Sequence, residues 1–170
     1  MLATKEKQSE HDPLTGLLNR QGFDRYSNAK ISELKRTGGT YSFLFGDLNG
    51  LKIINDRDGH PAGHKYIKTV ARAIEYSIRE EDICARIGGD EFIVLLPNLS
   101  REQSAKIVTR INDVIPAGKG YSISFGVGQW DGKKDLNEVL ADADSSMYSI
   151  KHAGLSFGER SSGVDLVSLD

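Results

Sequence analysis

The clearest pattern in the chain is a predicted β-hairpin in its second half. Residues 91–96 read EFIVLL and are followed by Pro97, which is typical of a strand that is buried on both faces. Residues 83–87 precede this run and form the partner strand. The two strands are joined through Gly88 and Gly89, which suit a tight turn with positive φ.

Two further strands and five helices follow from the same kind of pattern. Residues 41–48 read YSFLFGDL, and residues 121–127 alternate regularly between polar and apolar positions. Ser100 is a predicted N-cap, with Gln103 at the capping-box position. The predicted helices, the second of which is only a short turn, are 21–36, 51–56, 62–78, 100–114 and 136–151.

The order of these elements predicts an α+β fold. Its central part is βαββαβ, a ferredoxin-like order that gives an antiparallel-type sheet with flanking helices, expected on one face. We expect a single domain over residues 11–154. Residues 1–10 are predicted to be a connecting helix stub or disordered, and the Ser- and Gly-rich residues 155–170 a flexible C-terminal tail.

Composition narrows the class of protein. The chain has 170 residues with 27% charged and 38% hydrophobic, as in an ordinary soluble domain. A net charge of −2 argues against a general nucleic-acid coat or contact with an anionic membrane. Cys84 is the single cysteine and is expected to be buried, and no apolar run is long enough to cross a bilayer. These features predict a cytoplasmic protein.

Carboxylates stand at the ends of two predicted strands. Asp47 closes the first strand, whereas Asp90 and Glu91 open the second strand of the hairpin. In a βαββαβ sheet these strands are commonly adjacent, so acids from both strands can converge on one point. Oxygen ligands of this kind suit Mg²⁺.

A phosphate-binding segment is predicted between these strands. It begins a short helix, whose free N–H groups can bind phosphate, and it carries a lysine; its residues are Asn49, Gly50, Leu51 and Lys52. Converging carboxylates, a metal and a phosphate site are the parts needed for phosphoryl or nucleotidyl transfer. The sequence has no Ser-His-Asp or Cys-His arrangement, and its four histidines lack metal-ligand spacing.

Several separate motifs together make the chain resemble the GGDEF family of diguanylate cyclases, from Asp12 to Gly154. The matching segments are DPLTGLLNR at 12–20, DLNGLKIIND at 47–56 followed by Gly59-His60, GGDEF at 88–92, SISFGV at 122–127, and Ala143-Asp144 with Met147-Tyr148 and Lys151. Their order along the chain makes the match much more specific than a five-letter signature alone.

The resemblance implies a sheet like that of a polymerase palm and an Mg²⁺-dependent homodimer, with Mn²⁺ as a possible substitute. Two domains would meet face to face with one GTP each and form cyclic di-GMP and pyrophosphate. Asp47, the Leu48 carbonyl and Asp90 would hold the metal. Asp90 and Glu91 would also assist deprotonation of the 3′-hydroxyl group.

The same resemblance implies how the nucleotide and the product bind. Amides around Gly50 to Lys52, together with Lys151, would bind the triphosphate, and Asn55 would contact the guanine. Arg79 and Asp82 match the R-x-x-D inhibitory site that binds cyclic di-GMP. The alternative for this pair is a solvated ion pair of little energetic consequence.

Two positions depart from the family pattern. The family usually has aspartate where this chain has His64. Histidine offers fewer acceptors than aspartate, so one hydrogen bond to guanine is missing. This loss costs about 1–3 kcal/mol, which corresponds to a roughly ten- to hundred-fold lower affinity for GTP. Alternatively, His64 points to water. After Gly154 the family commonly has arginine, but this chain has Leu155, which removes a phosphate contact of about 1.5–3 kcal/mol.

Three functions are compatible with these residues. The first is an active diguanylate cyclase, weakened or less base-selective, with an upstream sensory domain in a longer chain. The second is a degenerate, non-catalytic receptor for GTP or cyclic di-GMP. The third is a cyclase with relaxed base selectivity that also accepts ATP. The intact Asp47, Asp90 and Glu91 favour retained chemistry.

Overall fold

Five antiparallel strands form one sheet in the computed structural model, in the order β2-β3-β1-β4-β5. The structure describes residues 9–130, 132, 138, 139 and 141, and the backbone of 164–167. Its helices are α1 (Arg20–Thr37), α2 (Leu51–Asp58), α3 (His60–Ser77) and α4 (Arg101–Val114). Its strands are β1 (Tyr41–Leu48), β2 (Ile83–Arg86), β3 (Glu91–Pro97), β4 (Ile123–Gln129) and β5 (Val164–Val167).

The predicted α+β fold with the βαββαβ order is confirmed. Strand β1 pairs with β3 on one side and β4 on the other, so the first strand lies in the middle of the sheet. The predicted capping box at the start of α4 is present, with Ser100 and Gln103 bonded reciprocally. Most of the predicted helix 136–151 lies outside the described residues. None of the described helices is long and apolar enough to cross a membrane.

The prediction that the helices cover one face is wrong. Side chains alternate along β1, so Leu44 and Leu48 face a core formed with α2, α3 and α4. Phe43 and Phe45 face a second core, formed with α1. Both faces of the central strands are therefore buried, which explains why residues 92–96 are continuously apolar.

The turn within the hairpin also differs from its prediction. Neither Gly88 nor Gly89 has a positive φ. At Gly88 an added Cβ atom would lie 2.9 Å from Oε2 of Glu91. Gly88 therefore lies in close contact with the Glu91 side chain, and its backbone is not left-handed.

The C-terminal residues depart in part from the predicted flexible tail. Val164–Val167 form β5, which pairs antiparallel with β4 at the edge of the sheet. Their pairing partner lies far away in the sequence, so a short segment that reads as irregular gains its strand conformation from a tertiary contact.

Candidate active site

The carboxylates predicted to bind metal meet at one end of the sheet, where β1 ends and β3 begins. Asp47 lies directly opposite Glu91 in the register of the two strands. The N–H group of Leu48 donates to the carbonyl oxygen of Asp90 at 2.9 Å. Asp47 and Asp90 are both half-buried, and their backbones lie at the same end of the sheet.

Glu91 lies on the α1 face of the sheet. Residues directly opposite each other in an antiparallel pair share a face, so Asp47 and Glu91 point to the same side. Glu91 lines a cavity of about 240 Å³ there, together with Arg20 and Asp24 from the first turns of α1.

The oxygen donors at this end fit a magnesium ion that is shared with a substrate. Among the residues that the structure describes, no three His, Cys, Asp or Glu side chains form a cluster that could hold a metal unaided. Mg²⁺ is commonly bound through one or two carboxylates, with substrate phosphates and water as the other ligands. Asp47 and Asp90 would supply the carboxylates, and the Leu48 carbonyl lies at the same end of β1.

The predicted phosphate segment forms the start of α2. Gly50 is the N-cap residue with φ 69° and ψ 23°, and within the described part of the chain no side chain caps this helix. A residue other than glycine would be strained at this φ. Gly50 and Lys52 are exposed, so the first-turn amide groups and the lysine lie at an accessible surface beside the end of β1.

Asn49 anchors this segment to its neighbours. Its Nδ2 donates to the Ser122 hydroxyl at 2.9 Å, and its Oδ1 accepts from the Ser124 hydroxyl at 3.1 Å. The hydroxyl of Tyr66 lies 2.8 Å from the Asn49 carbonyl oxygen. The Asn49 backbone N–H donates to the Ser122 carbonyl oxygen at 3.0 Å. Because its side chain and its backbone are both engaged, Asn49 holds the segment in position.

Tyr66 has a structural role that the sequence pattern did not show, since the residue was counted only as core. Its hydroxyl lies 2.6 Å from the Ser122 carbonyl oxygen and accepts from the Ser122 N–H at 3.0 Å. Burial raises the pKa of the Tyr66 hydroxyl, although its hydrogen bonds to Ser122 and Asn49 oppose the shift. Tyr66 therefore joins α3 to the start of β4 and to the phosphate segment.

Asn55 presents a buried oxygen atom beside the start of α3. Its Oδ1 has no hydrogen-bond partner among the described residues. The amide group lies against Gly63, where an added Cβ atom would come within 2.8 Å of Asn55 Cγ and closer still to Oδ1. Burying an acceptor in this way costs about 1–3 kcal/mol unless a donor is supplied.

His64 lies one residue further along α3 and is exposed. It lines an open groove of about 450 Å³ on a basic helix face, with Lys65, Lys68 and Arg72 among the other lining residues. Exposure agrees with the alternative in which His64 points to water.

Arg79 and Asp82 form an ion pair in which the carboxylate is buried and the guanidinium is partly exposed, so it is only partly the solvated pair of the alternative interpretation. The Asp82 side chain is fully buried and accepts from the Arg79 backbone N–H and from its Nη2, each at 2.7 Å. Nη2 of Arg79 also donates to the Pro97 carbonyl at 2.8 Å. The hydrogen bonds with Asp82 raise the pKa of Arg79.

The surroundings of this pair leave part of Arg79 available. The Arg79 side chain is 37% exposed. Asp82 borders a cavity of about 590 Å³, together with Leu17, Ile78 and Ile83. This larger cavity lies away from Asp47 and Asp90, so it is distinct from the candidate active site.

Lys151, Gly154 and Leu155 lie outside the described residues.

Sequence reasoning gave no role to Arg86, which contacts the turn that precedes Asp90. Its Nη2 donates to the Gly89 carbonyl at 2.9 Å. An arginine two residues before a glycine turn was the available signal.

Comparison with known proteins identifies the family. The family model described as diguanylate cyclase, GGDEF domain, matches residues 9–156, and the chain belongs to this family. The diguanylate cyclase DgcP of Pseudomonas aeruginosa is 34% identical over 161 residues. That match covers 90% of this chain but only 24% of DgcP, so the chain spans about a quarter of this relative's length.

Solved structures agree with the fold. Diguanylate cyclase SiaD of Pseudomonas aeruginosa, solved in complex with its activator SiaC, has a TM-score of 0.78 and 29% identity, covering 86% of this chain and 59% of that one. The GGDEF domain of DgcB from Caulobacter crescentus, in complex with c-di-GMP, has a TM-score of 0.79 and covers 89% and 95% of the two chains. At 24% identity, this second likeness shows the fold alone. The resemblance inferred from the motifs is confirmed.

Proposed function

We propose that this domain is an Mg²⁺-dependent diguanylate cyclase that acts as a homodimer. The observation that carries the proposal is the junction of β1 and β3, where Asp47 lies opposite Glu91 and Leu48 bonds to the Asp90 backbone. This junction lies beside the accessible start of α2, with Gly50 as its N-cap. Family membership supports the same chemistry.

In the proposed reaction two GTP molecules give one cyclic di-GMP and two pyrophosphates. Each 3′-hydroxyl oxygen forms a bond to the α-phosphorus of the other nucleotide, and each bond from α-phosphorus to the bridging β-phosphate oxygen breaks. Asp90 or Glu91 accepts the proton that leaves the 3′-hydroxyl. A magnesium ion held by Asp47, Asp90 and the Leu48 carbonyl would neutralise charge on the phosphates.

The chain's own residues would orient the nucleotide. First-turn amides of α2 and Lys52 would contact the triphosphate, and Lys151 is a further proposed contact. The buried Asn55 oxygen supports a base contact, because guanine offers N–H donors that would satisfy it. Arg79 and Asp82 are proposed to bind cyclic di-GMP as a feedback ligand; the exposed part of Arg79 supports this.

The test is product analysis by mass spectrometry after concentrated protein is incubated with Mg²⁺ and GTP, ATP or both. We expect cyclic di-GMP from the wild type, a rate that rises more steeply than linearly with protein concentration, and no product from Asp90→Ala. Asp113→Ala is the matched control, since Asp113 is an exposed aspartate on α4. Tight GTP binding without product would refute the cyclase proposal and support the receptor.

A further inference from the structure

A continuous set of polar contacts joins the N-terminal turn of the domain to the turn that carries Asp90. The N-terminal turn comprises residues 12–17, and the second turn, here called the signature turn, comprises residues 87–91. Arg86 lies between them and contacts both. These contacts link residues 74 positions apart in the chain.

The N-terminal turn is internally fixed. Oδ2 of Asp12 accepts from the Thr15 backbone N–H at 2.9 Å and from its hydroxyl at 2.7 Å, and Thr15 is buried. The Asp12 N–H donates to the Leu17 carbonyl at 2.6 Å. Burial alone would raise the pKa of Asp12, but the hydrogen bonds from Thr15 and the nearby Arg86 charge hold it below its usual range. Asp12 therefore remains a carboxylate at neutral pH.

Arg86 uses opposite parts of one planar guanidinium for the two turns. Nη1 lies 3.1 Å from Oδ1 of Asp12 and 3.3 Å from Oδ2. Nε and Nη2 donate to the Gly89 carbonyl at 3.2 and 2.9 Å. Both charged side chains are only 15% exposed, so solvent competes weakly for these bonds. A guanidinium can hold two partners in one plane, whereas a lysine ammonium lacks this fork.

The Gly89 carbonyl belongs to the peptide unit that ends at the nitrogen of Asp90. The next carbonyl, that of Asp90, accepts from Leu48 N–H at 2.9 Å. The two peptide units that flank the Asp90 Cα atom are therefore each held, one by Arg86 and the other by β1. We propose that Arg86, anchored by Asp12, is a positioning residue that sets the direction of the Asp90 carboxylate. The proposal rests on the proposed role of Asp90 in metal binding.

The first experiment uses Arg86→Lys, which keeps the charge but removes the fork. We expect kcat to fall about ten- to hundred-fold, as for groups that orient a metal ligand, while KM for GTP changes less than about threefold. Hydrogen exchange of the Leu48 amide should become faster, because its acceptor belongs to the released turn. Ile111→Val, in the buried face of α4, is the control for a general loss of stability and should change neither quantity.

A double-mutant cycle tests the anchor. Asp12→Asn and Arg86→Gln should each lower kcat, and the double variant should be no worse than Arg86→Gln alone, because both residues act through one contact. Additive losses would overturn the role of Asp12 as the anchor. Thermal melting of each variant shows whether it is folded at the assay temperature.

The outcomes separate this proposal from the proposed function. If wild-type protein makes no product, the cyclase proposal fails, while faster Leu48 exchange in Arg86→Lys would still support the coupling. Three results would overturn the positioning role in an active enzyme. They are an unchanged kcat, a lowered kcat with unchanged Leu48 exchange, and a loss that lies wholly in KM.

Discussion

Replacing Gly63 with alanine is a direct probe of the Asn55 contact. Gly63 is buried in the first turn of α3 and lies against the Asn55 amide group. A Cβ atom there would come within 2.8 Å of Asn55 Cγ. Carbon atoms pack best at about 3.5–4.0 Å, so the amide must move by roughly 1 Å or more.

The expected magnitudes follow from two opposing effects on stability and one on binding. Alanine favours a helix by about 1 kcal/mol over glycine, whereas overpacking costs about 1–3 kcal/mol, so we expect a net loss of up to about 2 kcal/mol. Displacing Asn55 removes its proposed base contact. GTP affinity should fall roughly ten- to hundred-fold, which corresponds to about 1–3 kcal/mol.

The assay combines thermal melting with calorimetric titration of a non-hydrolysable GTP analogue in Mg²⁺. Asn55→Ala removes the group that the new methyl would strike, so Gly63→Ala combined with Asn55→Ala should regain stability without regaining affinity. If Gly63→Ala melts and binds as the wild type does, the packing argument is refuted. If the double variant recovers affinity, Asn55 does not contact the base.

Three further predictions concern the charged groups. Asp12 has a lowered pKa in the folded state, so its contribution to stability is present above about pH 4, the unfolded value, and is lost as the pH falls through the folded pKa. In urea unfolding measured across acidic pH, the free energy of unfolding of Asp12→Asn should therefore fall less steeply than that of the wild type. An equally steep fall in the variant would contradict this. Arg79→Ala leaves the buried Asp82 carboxylate without its main partner and should lower the free energy of unfolding by about 1–3 kcal/mol, less than for a fully buried pair because Arg79 is 37% exposed. The variant should also lose inhibition by added cyclic di-GMP. Inhibition that survives would show that this pair is not the inhibitory site. His64→Asp should raise the preference for GTP over ATP about tenfold in competition assays, because aspartate restores an acceptor for guanine. An unchanged preference would show that His64 is a solvated side chain.

The candidate site could be predicted from sequence because its main parts lie at strand and helix ends. Asp47 closes one apolar run and Asp90 precedes another, and adjacency of the two strands follows from their order in a βαββαβ sheet. Local signals also sufficed for the capping box at Ser100, because capping bonds join residues only three positions apart.

The tertiary structure decided the features that depend on close approach between distant segments. Gly88 packs closely against the Glu91 side chain and Gly63 against Asn55, although neither contact was predicted. Arg86 gains its two partners only after the chain folds, since Asp12 lies 74 residues away. A periodic pattern reports which face of an element is apolar, but it does not report which polar atoms meet there.

The sequence by itself therefore determined the four described helices, strands β1 to β4 and the positions of the carboxylates along the chain, because burial and capping impose periodic or short-range constraints on residue type. Only the tertiary structure decided that helices cover both faces of the sheet and that Val164–Val167 extend it. It also decided how the signature turn is held. These features arise from contacts between segments far apart in the chain, where geometry in three dimensions selects the partner.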